Sequence, residues 1–489
     1  MKPNIAVLLF DTLRADHLSC YGYDRETTPF IDSVAADSSV YERAFSNSIW
    51  SLPAYASLFT GSHPSEHGAV DWGKQVERNS LVRAVNDMGY QSYAACPHLL
   101  SGEFGLVDAF QNSDWVSVSS RDFPYEDDPV VEGMEKQAQA GGWDSNAEKI
   151  KQFLQLTAKH RSLKPFANGL HYTVQQFKDS RGWWEDNGAE EVFTKSEAFM
   201  DSSAEPFFLF ANFIEPHGPY KPPREYIREY VGDDVSISEM IDAFDADIKN
   251  TMAGNEEISD RQRQIMVDLY DAEIAYIDDQ VRQFYQHLED SGLRDNTVVI
   301  MLSDHGDLFG EQGLWGHQGR IHPSLANVPL IIDYPWADGD VESGPVSLRD
   351  LYGHITSLAD GEETVLDSKG EAFIEYHGWD TQLLIEPWSE YEAIERDYWG
   401  VYQSAVVTED SLFVWDASDN TGLFDLEEGQ PFPEAPTEAT PEEVDRFQSD
   451  IERELGTPQE RNDAYREDGR GDGVSDSSLE EQLEHLGYK

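Results

Sequence analysis

Apolar residues in this chain are arranged in two ways. Asn4–Phe10, Pro206–Phe213 and Asn296–Leu302 are nearly continuous apolar runs without strict alternation, which predicts strands buried on both faces. Gln91–Ala95 and Val328–Ile332 read as two more strands. Between these runs the apolar spacing lengthens to three and four residues. That predicts a long amphipathic helix over Ser259–Leu288 and a shorter one over Leu81–Met88. Thr28-Pro29-Phe30 opens a further helix that runs to about Ala36. Strands alternating with helices predict an α/β fold with a mostly parallel sheet.

This pattern is interrupted once and then ends. Residues 117–203 read as a polar insertion with helices around Asn146–Thr157 and His171–Asp179. After about residue 345 a short helix, Leu348–Leu358, precedes four runs of antiparallel character: Ala372–Tyr376, Ser404–Thr408, Leu412–Trp415 and Gly422–Leu426. Asp419-Asn-Thr-Gly422 suits a hairpin turn between the last two. The expected organisation is an α/β domain over 1–345, a small C-terminal α+β subdomain over 346–430, and a loosely packed acidic tail with some helix over 431–489.

Charge narrows the function classes. Of 489 residues, 94 are Asp or Glu and 35 Lys or Arg, a formal net charge of −59. Phosphate-backbone binding needs clustered Lys and Arg, so nucleic acid is excluded as a partner. The carboxylates are dispersed along the chain, and their mutual repulsion is screened only in concentrated salt. This predicts a protein of a salt-in halophile, such as a haloarchaeon. Two cysteines, Cys20 and Cys96, make no disulfide scaffold and lack zinc-site spacing. No run of about 18 apolar residues predicts a membrane span, and Met1–Phe10 leads into Asp11 without a cleavage site, so the expectation is cytoplasmic.

Candidate chemistry lies where the strands end, the usual ligand-binding edge of an open α/β sheet. Asp11 follows the first strand, His217 a central one, and Asp304-His305 another. Two carboxylates and an imidazole suit a divalent cation. Ser51 stands two residues before Pro53 at the predicted start of a helix. There a hydroxyl can act as a nucleophile beside backbone N–H groups that favour an anionic phosphoryl or sulfuryl group, or it can simply cap the helix. Arg14 and Asp16 read as residues that fix the adjoining loop.

These segments together resemble the sulfatase family of the alkaline phosphatase superfamily. The resemblance rests on Leu9-Phe-Asp11-Thr-Leu-Arg14-Ala-Asp16-His17 with Tyr21-Gly-Tyr23, and on Ser51-Leu-Pro53-Ala-Tyr55 with Leu58-Phe-Thr60-Gly61. It continues through Glu215-Pro-His217, Ser303-Asp-His-Gly306, Gly316-His317 and Val328-Pro-Leu-Ile331, in family order over roughly residues 3–427. It implies an alkaline-phosphatase-like α/β fold, mostly parallel and flanked by helices. It also implies that Asp11, Asp304 and His305 bind one divalent metal ion (Mn²⁺, Zn²⁺, Mg²⁺ or Ca²⁺). Ser51 would be the nucleophile, with His217 and His317 contacting substrate or protonating the leaving group. Tyr55 and His98 would be substrate-binding.

The departures from the family pattern bear on the chemistry. Ser51 stands where sulfatases proper carry a residue oxidised to formylglycine, and Tyr55 occupies the Arg position that the modifying machinery reads. Thr12 replaces a second metal carboxylate, and His305 stands where many sulfatases have Asn. The implied function is a metal-dependent hydrolase or transferase acting on sulfate or phosphate esters of a small molecule, glycan or lipid, with Ser51 as direct nucleophile. The alternative is a catalytically degenerate sulfatase-like protein that binds without turnover.

Overall fold

A computed structural model describes residues 2–70, 80–97, 105, 107–116, 151, 155–156, 159, 184, 186–203, 206–232, 234–244, 246, 251, 256–317, 319–337, 339–378, 401–426, 433 and 435–467. Its centre is an eight-stranded sheet. In spatial order the strands are Val341–Glu342, Ser39–Tyr41, Leu330–Asp333, Thr297–Ser303, Asn4–Phe10, Phe207–Phe213, Gln91–Pro97 and Asn112–Val116. All pairings are parallel except those of Leu330–Asp333, which runs antiparallel to both neighbours. That strand was expected, and its reversal has a simple cause. Among the described residues, 304–329 include no helix longer than the four residues of Pro323–Ala326, so no long crossover returns the chain to the opposite edge before the next strand starts.

The continuous apolar character of Asn4–Phe10 follows from its place in the middle. Ile5, Val7 and Leu9 pack on one face with Leu52, Tyr55 and Phe59 of the helix Ser51–Thr60 and with Leu351 and Ile355 of Asp350–Asp360. Ala6, Leu8 and Phe10 pack on the other with Leu269, Ile277 and Phe284 of the 32-residue helix Asp260–Ser291. Alternate residues therefore enter two separate cores, and both must be apolar. The long helix starts where Ser259 accepts from Gln262 N in a reciprocal capping box, and ends at Gly292 in the left-handed region.

Two parts differ from the sequence reading. Within the polar insertion, Ala189–Ser202 is a helix that buries Val192, Phe193 and Met200, with the Phe193 ring 4.5 Å from that of Phe213. The helix expected at 171–179, and most of that at 146–157, lie outside the described residues. In the acidic tail, Pro441–Glu454 is a capped helix packed against a sheet rather than a loose segment. That sheet is antiparallel: Ala372–Tyr376, Gln403–Val407, Ser411–Asp416 and Thr421–Asp425. Its outer face meets Phe447 and Ile451 of the tail helix, and its inner face meets Phe45, Ile49, Leu314 and Ile321 beside the candidate site. Among the described residues no helix is long and apolar enough to cross a membrane.

Candidate active site

Strand register assembles the site. Phe10 pairs with both Ser303 and Phe213, so the next residues on three adjacent strands, Asp11, Asp304 and Ile214, leave the sheet side by side. Asp11, Asp304 and His305 are all buried, and their donor atoms lie within 4.8 Å of one another, the one such cluster among the described residues. Asp304 Oδ1 accepts from Thr12 N at 3.2 Å and His305 N at 2.9 Å, which aims Oδ2 elsewhere. His305 Nδ1 lies 2.9 Å from Gly306 O. A carbonyl can only accept, so Nδ1 carries the proton and Nε2 of the neutral ring offers a lone pair. That lone pair lies 3.3 Å from Asp304 Oδ2 and 3.8 Å from Asp11 Oδ1.

Two carboxylate oxygens and one imidazole nitrogen thus face one another. Among the described residues Asp11 Oδ1 and Asp304 Oδ2 have no hydrogen-bond partner. Burial and the Asp304 charge hold the Asp11 carboxyl well above the usual carboxylate range, and burial lowers the His305 pKa. Such a cluster is costly unless a cation completes it, and two carboxylates with one imidazole are a donor set that a divalent ion fits. The backbone is committed to this arrangement. Thr12 is held at φ 58°, an unfavourable region for a β-branched residue, with its carbonyl accepting from Tyr270 Oη at 2.7 Å. Gly306 has no room for a side chain, because a Cβ there would stand 2.0 Å from Ser324 O.

Ser51 completes the centre. The helix N-cap is Trp50, so Ser51 is the first helical residue and its hydroxyl is not used as a cap. Instead Oγ lies 3.1 Å from His305 Nε2, donating to the lone pair. One turn on, Tyr55 is buried and its Oη accepts from Asn212 Nδ2 at 2.8 Å. Burial and the Asp304 and Asp11 charges raise its pKa well above the usual value, so it stays neutral.

His317 and His217 stand beside this group. The ring centroid of His317 is 4.6 Å from that of His305 and 5.3 Å from that of His217. His217 Nδ1 donates to Gly218 O at 2.7 Å, and burial, reinforced by His317, pulls its pKa down to about 3. His317 Nδ1 lies 3.3 Å from Asp307 Oδ1. Arg14 fixes the surrounding loop as expected, bonding Asp16 through two nitrogens and Glu311 at 2.8 Å. Its Nη1 also donates to Asp307 O.

The structure brings Asp11, Ser51, Tyr55, His217, Asp304, His305 and His317 together, while His98 lies outside the described residues. The sequence reading missed Asp307, Tyr220 and Asn212. The first two sit two residues after His305 and three after His217, and that closeness was the available signal. It also missed how the C-terminal sheet steadies the site. Glu375 N donates to Asn47 O and Ser48 Oγ to Glu375 O, holding the approach to Ser51. Gln403 bonds Gly319 O and Ile321 N, holding the segment after His317.

Known proteins place this architecture. The family profile described as Sulfatase matches residues 3–361. An arylsulfatase of Clostridium perfringens is 24% identical over 451 residues, covering 87% of this chain and 88% of its own. An N-acetylglucosamine-6-O-sulfatase of Bacteroides thetaiotaomicron is 24% identical over 410 residues, covering 76% and 68%. Among solved structures, a phosphonate monoester hydrolase of Silicibacter pomeroyi superposes with a TM-score of 0.62 at 15% identity, covering 94% of this chain and 96% of that one. At that identity the likeness speaks for the fold alone, the alkaline-phosphatase-like α/β architecture expected from the sequence. The chain belongs to the sulfatase family of ester hydrolases.

Proposed function

We propose that this protein cleaves phosphodiester or phosphonate esters at least as readily as sulfate esters, using unmodified Ser51 as nucleophile and one divalent ion. The observation that carries the reading is Ser51 Oγ, at a helix start and 3.1 Å from His305 Nε2, beside two buried carboxylates. Asp11, Asp304 and His305 would hold the ion, which supplies positive charge for a non-bridging oxygen and favours ionisation of a nearby hydroxyl. Fewer carboxylates than the family pattern favour Mn²⁺ or Zn²⁺, with Mg²⁺ next and Ca²⁺ last.

As the Ser51 hydroxyl ionises and gives its proton to solvent, Oγ bonds to phosphorus or sulfur while the ester oxygen leaves and takes a proton from His217 or His317. Backbone N–H groups of the first turn of Ser51–Thr60 face the charge that develops on the transferred group. Water, or an acceptor alcohol, then releases the group from Ser51. A serine sulfate lacks the aldehyde-hydrate route of formylglycine, so its release depends on attack at the central atom, which favours phosphorus. Tyr55 supports the absence of that modification, since it fills the Arg position with a neutral phenol.

The dispersed negative charge supports work in the near-molar salt of a halophile's cytoplasm. Full stability without added salt would contradict that part. The catalytic reading is tested by a panel of 4-nitrophenyl sulfate, bis(4-nitrophenyl) phosphate and 4-nitrophenyl phenylphosphonate in molar KCl with Mn²⁺, beside Ser51→Ala. Turnover of a phosphorus ester that Ser51→Ala abolishes is expected. No turnover of any ester by metal-loaded protein would instead support a degenerate binding protein.

A further inference from the structure

We infer that Asn212 is a positioning residue that turns the Tyr55 hydroxyl proton towards the group being transferred, so that Tyr55 donates to one of that group's non-bridging oxygens. The inference rests on the ester-cleavage reading above and adds to it a second anchor for the group that Ser51 attacks.

Chemistry fixes the direction of the hydrogen bonds. Asn212 Nδ2 lies 3.3 Å from Leu9 O and 2.8 Å from Tyr55 Oη. A carbonyl only accepts, so the end of the amide that faces Leu9 is the NH₂ group, and its second hydrogen goes to Tyr55. Tyr55 Oη is therefore the acceptor of that bond. A phenol has a single hydrogen, and here it is turned away from Asn212 towards another acceptor.

That hydroxyl stands beside the candidate centre. Tyr55 follows Ser51 by one turn of the same helix, a spacing that makes two side chains neighbours. Leu9, the other partner of Asn212, pairs with it in strand register and lies two residues before Asp11. The charges of Asp304 and Asp11 both act on Tyr55. The phenol ring is held in place: buried, it meets Phe210 edge-on at 6.4 Å, in the core that also contains Leu52 and Phe59. Asn212 is itself buried, on the strand Phe207–Phe213. A donor fixed in this way needs no reorganisation when an anionic group arrives.

What arrives is the transferred group. An ester of phosphorus or sulfur placed for attack by Ser51 Oγ presents at least two non-bridging oxygens. One faces Asp11, Asp304 and His305, and another is left for Tyr55. Tyr55 keeps its proton throughout and gives only a hydrogen bond, so it adds no charge to the site. A neutral donor suits a group with a single negative charge, which a phosphodiester, a phosphonate ester and a sulfate ester all carry. A purely structural role for Asn212 and Tyr55 would slow all substrates alike. A donor to a non-bridging oxygen is instead felt when sulfur, a poorer acceptor, replaces that oxygen.

The test compares kcat/KM for bis(4-nitrophenyl) phosphate and its phosphorothioate, which carries sulfur for one non-bridging oxygen. The proteins are Mn²⁺-loaded wild type, Tyr55→Phe and Asn212→Leu, and calorimetry gives the Mn²⁺ affinity of each. Each substitution is expected to slow the phosphate by about 10²-fold and the phosphorothioate by less than about tenfold, since sulfur can then take the vacated place without further loss. Combining the two should cost nothing beyond Tyr55→Phe, and Mn²⁺ affinity should hold. Equal slowing of both esters, or weakened Mn²⁺ binding, would overturn the donor role, while turnover that depends on Ser51 would leave the ester-cleavage reading standing. The bias in Tyr55→Phe without it in Asn212→Leu would overturn the positioning role. Should Asn212→Leu fail to fold, Asn212→Asp decides, because its carboxylate accepts the phenol hydrogen instead, and wild-type behaviour there overturns the positioning role. No turnover of the phosphate by wild type would remove the ester-cleavage reading itself, and this inference with it.

Discussion

Replacing Asp304 by Asn should raise the stability of the metal-free protein and lower that of the metal-supplemented one. Asp304 Oδ1 accepts two backbone N–H bonds that an Asn oxygen can keep. Oδ2 is different: buried, unpartnered and 3.3 Å from the His305 Nε2 lone pair. An Asn amide in its place turns a donor rather than a further acceptor towards Asp11 Oδ1 and the His305 ring, and removes a buried carboxylate. An unsatisfied buried acceptor costs about 1–3 kcal/mol, so the metal-free variant should gain that much. In the wild type, an ion at 100 times its Kd adds about 2.7 kcal/mol, and the variant, short of one anionic ligand, should gain almost none of it. For a chain this long 1 kcal/mol moves Tm by roughly 1 °C. Melting curves in molar KCl, with EDTA or with MnCl₂, should therefore cross: the variant higher by about 1–3 °C without metal, the wild type higher with it. An equal Mn²⁺-induced shift in both proteins would refute the metal-centre reading. So would a metal-free variant less stable than the wild type.

Other consequences follow from individual contacts. Gly306→Ala would set a Cβ 2.0 Å from Ser324 O and 3.0 Å from Arg14 Cγ. Backbone cannot yield there without moving His305, so a loss of about 3 kcal/mol or more and weaker Mn²⁺ binding are expected by melting and calorimetry, and a neutral result would show that the loop adapts. Burial, helped by the Asp186 charge, pushes Glu215 up to about 7 from its ordinary 4.5. The folded state therefore holds a proton there that the unfolded chain has lost, so this group's stability is full below about 4.5 and disappears as pH rises through about 7, roughly 3 kcal/mol in all. Glu215→Gln keeps an oxygen for Asn187 N and Ala189 N, and should flatten the stability–pH curve over that window. An unchanged slope would show that Glu215 does not carry it.

What the sequence disclosed, it disclosed through local rules. Continuous apolar runs identified Asn4–Phe10 and Phe207–Phe213 because both faces of those strands are covered, and the capping pair Ser259 and Gln262 marks the start of the long helix. The candidate metal cluster was legible because its members follow strands directly, so strand register alone brings them together. Other features depended on tertiary contacts that no local rule contains. Whether Ser51 caps its helix or faces the centre is decided by His305, 254 positions away. Asp307 meets Tyr220 and His317 only when three segments come together. The acidic tail reads as loosely packed with some helix, yet Phe447 and Ile451 of Pro441–Glu454 face the last sheet and are fully buried. Leu330–Asp333 looks like any buried strand, and its reversed direction follows from the connection before it rather than from its own residues.

The central claim is that Ser51 attacks as an unmodified hydroxyl. The most direct measurement is the mass of the peptide containing residue 51, before and after rapid quenching of a reaction with 4-nitrophenyl phenylphosphonate. The account predicts an unaltered serine at rest and, in the quenched sample, a phosphonyl group on Ser51 that is absent from Ser51→Ala. A resting peptide lighter by two hydrogens, the signature of formylglycine, together with rapid 4-nitrophenyl sulfate hydrolysis, would contradict it.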